Sequence, residues 1–508
     1  MNNRKIKNPK FLLTIAPMQF MNGEIVRPDG CLGTAYLDSA LTNSGYHSKI
    51  LDMAVGDDSD SLSNTFFNQS KLDNNFIRIG LTNEKILEKI SEYDVIGISS
   101  VFTPQTSRVF EISNLIKLNF PDKIIIGGGV NARILKEKFF ENGFDVIFNS
   151  EAEQSIVEFA RYLESDTSLD LVNGISYMVN GKMKTNPIIN PLMNLDELHM
   201  PSWHKLPYKQ YWEISKDVPL WGGRDGLVDK EDTIIKYGNI FTSRGCPFSC
   251  EYCHISLEKD DEYGKIGKLR LHSIERVVEE LHILKDLGIK YLFINDESLL
   301  ANKKRVAVIL EKLKSFNFKL ADINGINMIH FFMRSKKTGK LVVDEEMIEL
   351  LSDAGFRKIS LPFESANQRI INKWCGRKWM VEKCDTKELV KKLNDYNITT
   401  DGNFMIGFPD ETPDELENTF NMAREHMNAG MVGSAFMIVQ PFPGSKIFQT
   451  TIDNGQLSKD WHWDELGWAK GSPFTNMKIS NETLIEKRVS VWREIHGKDR
   501  INEFTNMG

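Results

Sequence analysis

Apolar runs alternate with stretches of helical spacing through the first third of the chain. Phe11-Leu-Leu-Thr-Ile-Ala16, Asp94-Val-Ile-Gly-Ile-Ser99, Lys123-Ile-Ile-Ile126 and Asp145-Val-Ile-Phe148 read as four short strands. Thr34 to Ser44, closed by Gly45, and the segment after Pro104, with Val109, Ile112, Leu115 and Ile116, carry apolar residues every third or fourth position, the spacing of one helix face. Strands alternating with helices predict a parallel, doubly wound α/β sheet over residues 1–180, with ligand positions at the carboxyl ends of its strands. The polar stretch Gly56 to Asn75 reads as a surface insertion. Residues 181–237 lose periodicity and hold Pro187, Pro191, Pro201, Pro207 and Pro219, which predicts an ordered linker draped over both neighbours. A second series begins at 238. Asn239–Ser243, Tyr291–Ile294, Ala321–Ile326, Lys358–Pro362, Thr399–Ile406 and Ser434–Val439 are strand candidates, with helices at 274–287, 345–353, 386–396 and 413–427. Six strands with helices between them predict a partial TIM-type (β/α)6 barrel over 238–445. A C-terminal extension, 446–508, carries Trp461, Trp463 and Trp468.

Composition adds exclusions. The 508 residues carry a formal charge of −7, which argues against binding nucleic-acid phosphates as the main activity. No window approaches the 18 apolar residues of a membrane span, and the basic N-terminus precedes too short an apolar stretch for a secretion signal. These features lead us to expect a cytoplasmic protein. Of six cysteines, three crowd into eight residues, a pattern of metal ligation in a reducing compartment rather than of disulfides.

That cluster is Ser243-Arg-Gly-Cys246-Pro-Phe-Ser-Cys250-Glu-Tyr-Cys253-His254, directly after the first barrel strand. Three thiolates on one tight loop suit three irons of a [4Fe–4S] cubane and leave the fourth iron open to a substrate's amino and carboxylate groups. A zinc site is the alternative. It needs four ligands, and adjacent Cys253 and His254 are poorly placed to share one tetrahedral ion.

The C-x3-C-x-aromatic-C loop resembles the hallmark of the radical S-adenosylmethionine (SAM) enzymes. The resemblance implies SAM-contacting groups at successive strand ends. Tyr252 fits the aromatic position that packs on adenine. Asp296 and Glu297, in Asn295-Asp-Glu-Ser298, stand where the family often has Gly-Gly-Glu, a departure from the pattern. Glu364 and Ser365 resemble the ribose-contacting pair. Asn403 and the stretch Met405-Ile-Gly407-Phe-Pro-Asp-Glu411 resemble the adenine-contacting strand end, and Gln440-Pro-Phe-Pro-Gly-Ser445 ends the sixth strand.

A doubly wound (flavodoxin-like) domain ahead of such a barrel resembles the cobalamin-binding module of class B radical SAM enzymes. Ser99, Ser100 and Thr103, then Gly127, Gly128 and Gly129, then Asn149 and Glu151 stand at strand ends where the resemblance places the cofactor. The Asp-x-His-x-x-Gly signature is absent, so the resemblance sets Val101, Phe102 and Thr103 beneath the cobalt with no histidine ligand. It implies a methyltransferase using a [4Fe–4S] cluster, SAM and cobalamin to methylate an unactivated carbon, less readily phosphorus, of a small molecule. A flavodoxin- or ferredoxin-type protein would donate electrons. Two other readings remain: a cyclase or rearrangement enzyme with the same cofactors, and a non-catalytic cobalamin or Fe–S sensor. Cys375 and Cys384 read as structural. Arg224, in Gly222-Gly-Arg, is the candidate substrate anion contact, with Trp203, Tyr211, Trp221, Trp461 and Trp463 as candidate lining aromatics.

Overall fold

The computed structural model describes residues 5–21, 30–72, 76–165, 167–217, 227–229, 231–322, 324–457, 461–467, 470–475 and 477–504, the last seven without their side chains. Trp221, Arg224 and Trp468 therefore lie outside the described residues.

Seven strands form the first sheet: β1 (Lys10–Ile15), β2 (His47–Asp52), β3 (Val95–Ser99), β4 (Ile124–Gly128), β5 (Val146–Phe148), β6 (Ile175–Val179) and β7 (Lys182–Thr185). They lie in the order β7-β6-β5-β4-β3-β1-β2. Pairing is parallel from β2 to β5 and antiparallel beyond. The 2-1-3-4-5 core order reverses direction between β1 and β3, the place where such sheets hold ligands. Central strands such as β4 are apolar throughout because helices cover both faces; Ile124, Ile125 and Ile126 are buried.

Three strands of this sheet, β2, β6 and β7, escaped the sequence pattern. β2 sits at the sheet edge and opens on polar His47, Ser48 and Lys49, and β7 is fully exposed and largely polar, so neither is a continuous apolar run. β7 lies inside the stretch read as linker. The stretch read as a surface insertion is also partly structured. Gln69–Lys71 pairs with Phe76–Ile79, and Phe66 is buried.

The second sheet is parallel and strictly sequential: β8 (Tyr237–Ile240), β9 (Tyr291–Ile294), β10 (Lys319–Asp322), β11 (Phe356–Glu364), β12 (Thr399–Ile406) and β13 (Gly433–Ile438). This is the expected six-stranded partial barrel. Its helices start where the capping residues stand: Ser273 accepts from the Arg276 amide at 3.1 Å, and Thr412 forms a capping box with Glu415, satisfying otherwise unpaired amides.

One buried apolar cluster runs from Leu32 and Tyr36 through Trp203 and Tyr211 into the barrel. The intervening stretch joins the two sheets through its aromatic tips. Trp203 donates to the Asn239 carbonyl at 3.1 Å, Trp212 to that of Tyr237 at 2.8 Å, and the Tyr211 hydroxyl to Asp52 at 2.8 Å. Trp203 and Tyr211 are wholly inside this core, so they pack and do not line a substrate space. Among the described residues no helix is long and apolar enough to cross a membrane.

Candidate functional site

The carboxyl ends of the two sheets meet. Glu151, just past β5, reaches the guanidinium of Arg270 with both oxygens at 2.6 and 2.8 Å, and Arg244, just past β8, at 3.2 Å. Arg244 also takes Glu153 at 2.8 Å, and Arg133 takes Glu258 at 2.6 Å. Burial disfavours the charge on Glu151, but the two arginines outweigh it and hold the carboxyl below its ordinary range.

The cysteine loop lies at this junction. Ser243–Arg244 pairs with Arg270–Leu271, and Gly245 turns the chain at φ +83°, where a Cβ would strike the Lys268 carbonyl at 2.3 Å. Only glycine fits that approach. The Cys246 amide then donates to Gly267 at 3.1 Å, the Ser256 hydroxyl to the Cys250 carbonyl at 2.7 Å, and the Glu251 amide to Trp374 at 2.8 Å. Cys250 is buried, and Cys246 and Cys253 are partly so. Burial pushes all three thiols up, so taking up metal must displace their protons. Among the described residues no three Cys, His, Asp or Glu side chains converge as tightly as one metal ion requires. A cubane asks for less convergence, since each thiolate takes its own iron. A loop with one buried and two partly buried thiols on a fixed backbone fits that group.

Around the loop, the candidates from sequence part into two sets. Tyr252 donates to Glu364 at 2.7 Å, and Glu364 is buried at φ +61°, a conformation that a non-glycine residue adopts only when its surroundings impose it;. Lys378, also buried, bonds the same carboxylate and lies 3.4 Å from the tyrosine hydroxyl. Burial works against its charge, but Glu364, Cys250 and Cys375 raise its pKa. Lys378 was not legible as a site residue, because no motif marks it. Glu297 accepts from the Gly245 amide at 3.1 Å, and burial, reinforced by Asp296, pushes its carboxyl up to about 7. Asn403 lies on β12 between Pro362 and Ala435.

The other set is spent inside the protein. Asp296 accepts the Thr242 amide and hydroxyl at 2.6 Å and the Ser243 hydroxyl at 2.5 Å, so it braces the strand end that launches the cysteine loop. Ser365 is fully buried and caps the turn to Asn367. Gly407 admits Leu484 of the C-terminal helix, which would stand 2.6 Å from a Cβ. Cys375 and Cys384 are both buried. Cys375 nonetheless belongs to the segment that backs the cysteine loop, because Gly376 abuts the Ser249 and Cys250 amides.

Gly407 also receives Glu411, whose carboxylate accepts its amide at 2.6 Å while its other oxygen lies buried without a partner. Burial, with Glu415 beside it, pushes this carboxyl up to about 8. In the unfolded chain it ionises near its ordinary 4.5. The stabilising contribution of its proton is therefore complete below that pH and is lost as pH rises toward about 8. Glu411→Gln, uncharged at every pH, will flatten this part of the fall in stability between about pH 5 and 8. Urea midpoints across that range read the change.

At the first sheet, β3 leads into Val101 and Phe102, which are 44% and 59% exposed, a large apolar surface to leave in water. Gly128, at the end of the adjacent β4, has open space at its Cβ position. Ser99 lies 4.0 Å from Cys31 at the reversal in strand order. A flat apolar shelf beside a bare backbone fits a broad ring such as a corrin. The remaining candidates turn inward. Ser100 accepts from Asn131 at 3.0 Å, the Thr103 carbonyl accepts from Thr106 at 2.7 Å, and Asn149 donates to Ser176 at 3.0 Å. Gly127 packs on Ile147, and Gly129 abuts the Ser100 carbonyl. Glu151 is taken by the two arginines, which leaves its carboxylate no freedom to meet a ligand.

Comparison with known proteins matches this layout. Residues 240–423 match the radical SAM superfamily, and residues 31–160 match the B12 binding domain. Cytidylyl-2-hydroxyethylphosphonate methyltransferase of Streptomyces wedmorensis is 25% identical over 458 residues, which cover 84% of this chain and 78% of that protein. Anaerobic magnesium-protoporphyrin IX monomethyl ester cyclase of Rubrivivax gelatinosus is 24% identical over 386 residues, covering 74% of this chain and 62% of the cyclase. The structure of the radical S-adenosylmethionine methyltransferase TsrM from Kitasatospora setae, with tryptophan substrate and a SAM analogue, aligns with a TM-score of 0.64. That alignment covers 91% of this chain and 80% of TsrM at 16% identity.

Proposed function

From a chain that joins a B12-binding domain to a radical SAM domain and is homologous to cobalamin-dependent radical SAM methyltransferases, we propose an enzyme that methylates an unactivated carbon of a small molecule. When bound, the cluster with SAM supplies a hydrogen-abstracting radical, and cobalamin supplies the methyl group. The observation that carries the reading is that the strand ends of the two sheets meet through Glu151 and Glu153 with Arg244 and Arg270, one bearing the three-thiol loop after β8 and the other the exposed Val101–Phe102 shelf after β3. The chain's own task is to hold these surfaces in register and keep water away.

Cys246, Cys250 and Cys253 hold the cluster. Tyr252 and Glu364, fixed by Lys378, present a phenol and a carboxylate at the barrel mouth for SAM's hydroxyls, with Asn403 and Glu297 on flanking strands. Val101, Phe102 and Gly128, with Ser99 nearby, would hold cobalamin. Arg224 is the proposed anion contact for substrate. Electrons come from a flavodoxin- or ferredoxin-type donor, and the enzyme works in the cytoplasm.

The cyclase relative favours a second reading, ring closure with the same cofactors. Anaerobic reconstitution with iron, sulfide and cobalamin, followed by incubation of cell extract with methyl-labelled SAM, separates the two. The expected result is a labelled small molecule and two SAM consumed per turnover, one leaving S-adenosylhomocysteine. SAM cleavage with no labelled product overturns methylation in favour of the cyclase.

A further inference from the structure

The C-terminal extension crosses from the barrel to the first domain and ends a long polar chain there. Gln440, past β13, donates to the carbonyls of Lys470 and Gly471 at 3.5 and 3.3 Å, and the Lys470 ammonium bonds the Asp464 carbonyl. The single turn Trp463–Glu465 then grips the segment that follows Phe102. Trp463 donates from its indole nitrogen to the Ser107 hydroxyl at 2.8 Å and sets its ring edge-on to Phe110, 5.2 Å between centroids. The Asp464 carboxylate accepts the Ser107 hydroxyl at 2.8 Å and the Gln19 amide nitrogen at 2.8 Å. Gln19 passes the constraint on. It donates to the Pro104 carbonyl at 2.7 Å, and its backbone exchanges two 2.8 Å bonds with the Gln105 side chain. Asp464 stands at the first turn of the helix Thr106–Asn119, where a negative charge is favoured;.

The bonds to Pro104, Gln105 and Ser107 fall just beyond the exposed Val101–Phe102 shelf. Pro104, Gln105 and Ser107 are fixed, and the shelf itself is left in the open. Residues more than 350 positions apart in sequence are brought together at the loop after β3, which presents apolar surface at the reversal in strand order. Packing alone would not need a carboxylate with two side-chain donors, an indole hydrogen bond and a doubly bonded glutamine pair for one short turn.

We propose that Trp463 and Asp464 are positioning residues for cobalamin. They clamp the loop after β3 so that Val101 and Phe102 form a stiff apolar floor under the corrin and keep water from the cobalt's lower face. The inference rests on the cobalamin reading above. It also links the barrel to the corrin floor through one continuous polar chain, so the height of the floor is set by the domain that holds the cysteine loop.

The test uses the full chain with Trp463→Phe, which keeps the ring and removes its donor, and Asp464→Asn, which keeps the shape and removes the charge. Each loses at least one hydrogen bond, so in the cobalamin-free protein amide exchange across residues 102–107 should quicken about tenfold. With cobalamin added and reduced to the cobalt(II) state, electron paramagnetic resonance should move from a signal without a lower axial ligand toward a water-ligated one. Cobalamin affinity should fall about tenfold by the same loss. Unchanged exchange in both variants overturns the clamp. Faster exchange with wild-type resonance and affinity overturns its role toward cobalamin. If the unaltered protein takes up no cobalamin, the cobalamin reading fails and the floor with it, while the exchange arm still decides whether the clamp stiffens the loop.

Discussion

Alanine at any one of Cys246, Cys250 or Cys253 will remove the cluster's visible absorbance, lower iron and sulfide to background after anaerobic reconstitution, and abolish SAM cleavage. The effect is total because the site has no spare ligand. Three thiolates serve three irons, and the loop that carries them is fixed by the Gly245 turn, the Gly267 carbonyl and the segment around Trp374 and Gly376, so no neighbour can swing in. Cys375 lies in that segment but is wholly buried in the apolar core. Cys384→Ala is the control, since that side chain is buried in the apolar core, and it should keep iron, sulfide and SAM cleavage at wild-type levels. Retained iron in a Cys250→Ala protein, or stoichiometric zinc in the wild type, would refute the cluster.

The cysteine loop was legible because its chemistry is contiguous. Three ligands within eight residues carry their own geometry, and no tertiary contact is needed to see them. The strands were legible for a related reason, as β4 and β11 are buried almost end to end. What sequence could not reveal was which polar groups at the strand ends face outward. Asp296 and Glu297 are neighbours in one motif, yet the first turns back to brace Thr242 and Ser243 while the second takes the Gly245 amide. Lys378 joins Glu364 across 14 residues, and nothing in its local pattern distinguishes it from a solvated lysine. Trp463 was visible only as an aromatic in a tail; the Ser107 hydroxyl that gives it a task lies 356 residues away. Local patterns reveal which residues must be buried, and pairing over such distances decides what buried polar groups do.

Glu151 shows the consequence most sharply, and its replacement carries the second large effect. Its carboxylate and that of Glu153 face Arg244 and Arg270, two charges of each sign in a setting where the Arg270 side chain is only 3% exposed. Arg244 also lies 4.6 Å from the Tyr36 ring, so the group joins the first domain to the barrel at the height of the cysteine loop. Glu151→Gln removes one negative charge and strands a buried guanidinium, which costs about 3–5 kcal/mol. That is a third or more of a typical domain's stability. Its acid dependence should change as well. Because the folded carboxyl is held below its ordinary range, its contribution is present above that range and is lost as pH falls through the lowered value. Glu151→Gln should therefore lose stability at pH 7 and show a shallower further loss on acidification than the wild type. The double variant Glu151→Gln/Arg270→Gln, with no stranded charge, should recover part of the loss. Denaturant unfolding followed by tryptophan fluorescence reads all three. A Glu151→Gln protein as stable as the wild type, or a double variant no better than the single one, would mean that the junction is not held by this ion pair, and that the register of cobalamin against the barrel is set instead by the apolar cluster running through Trp203 and Tyr211.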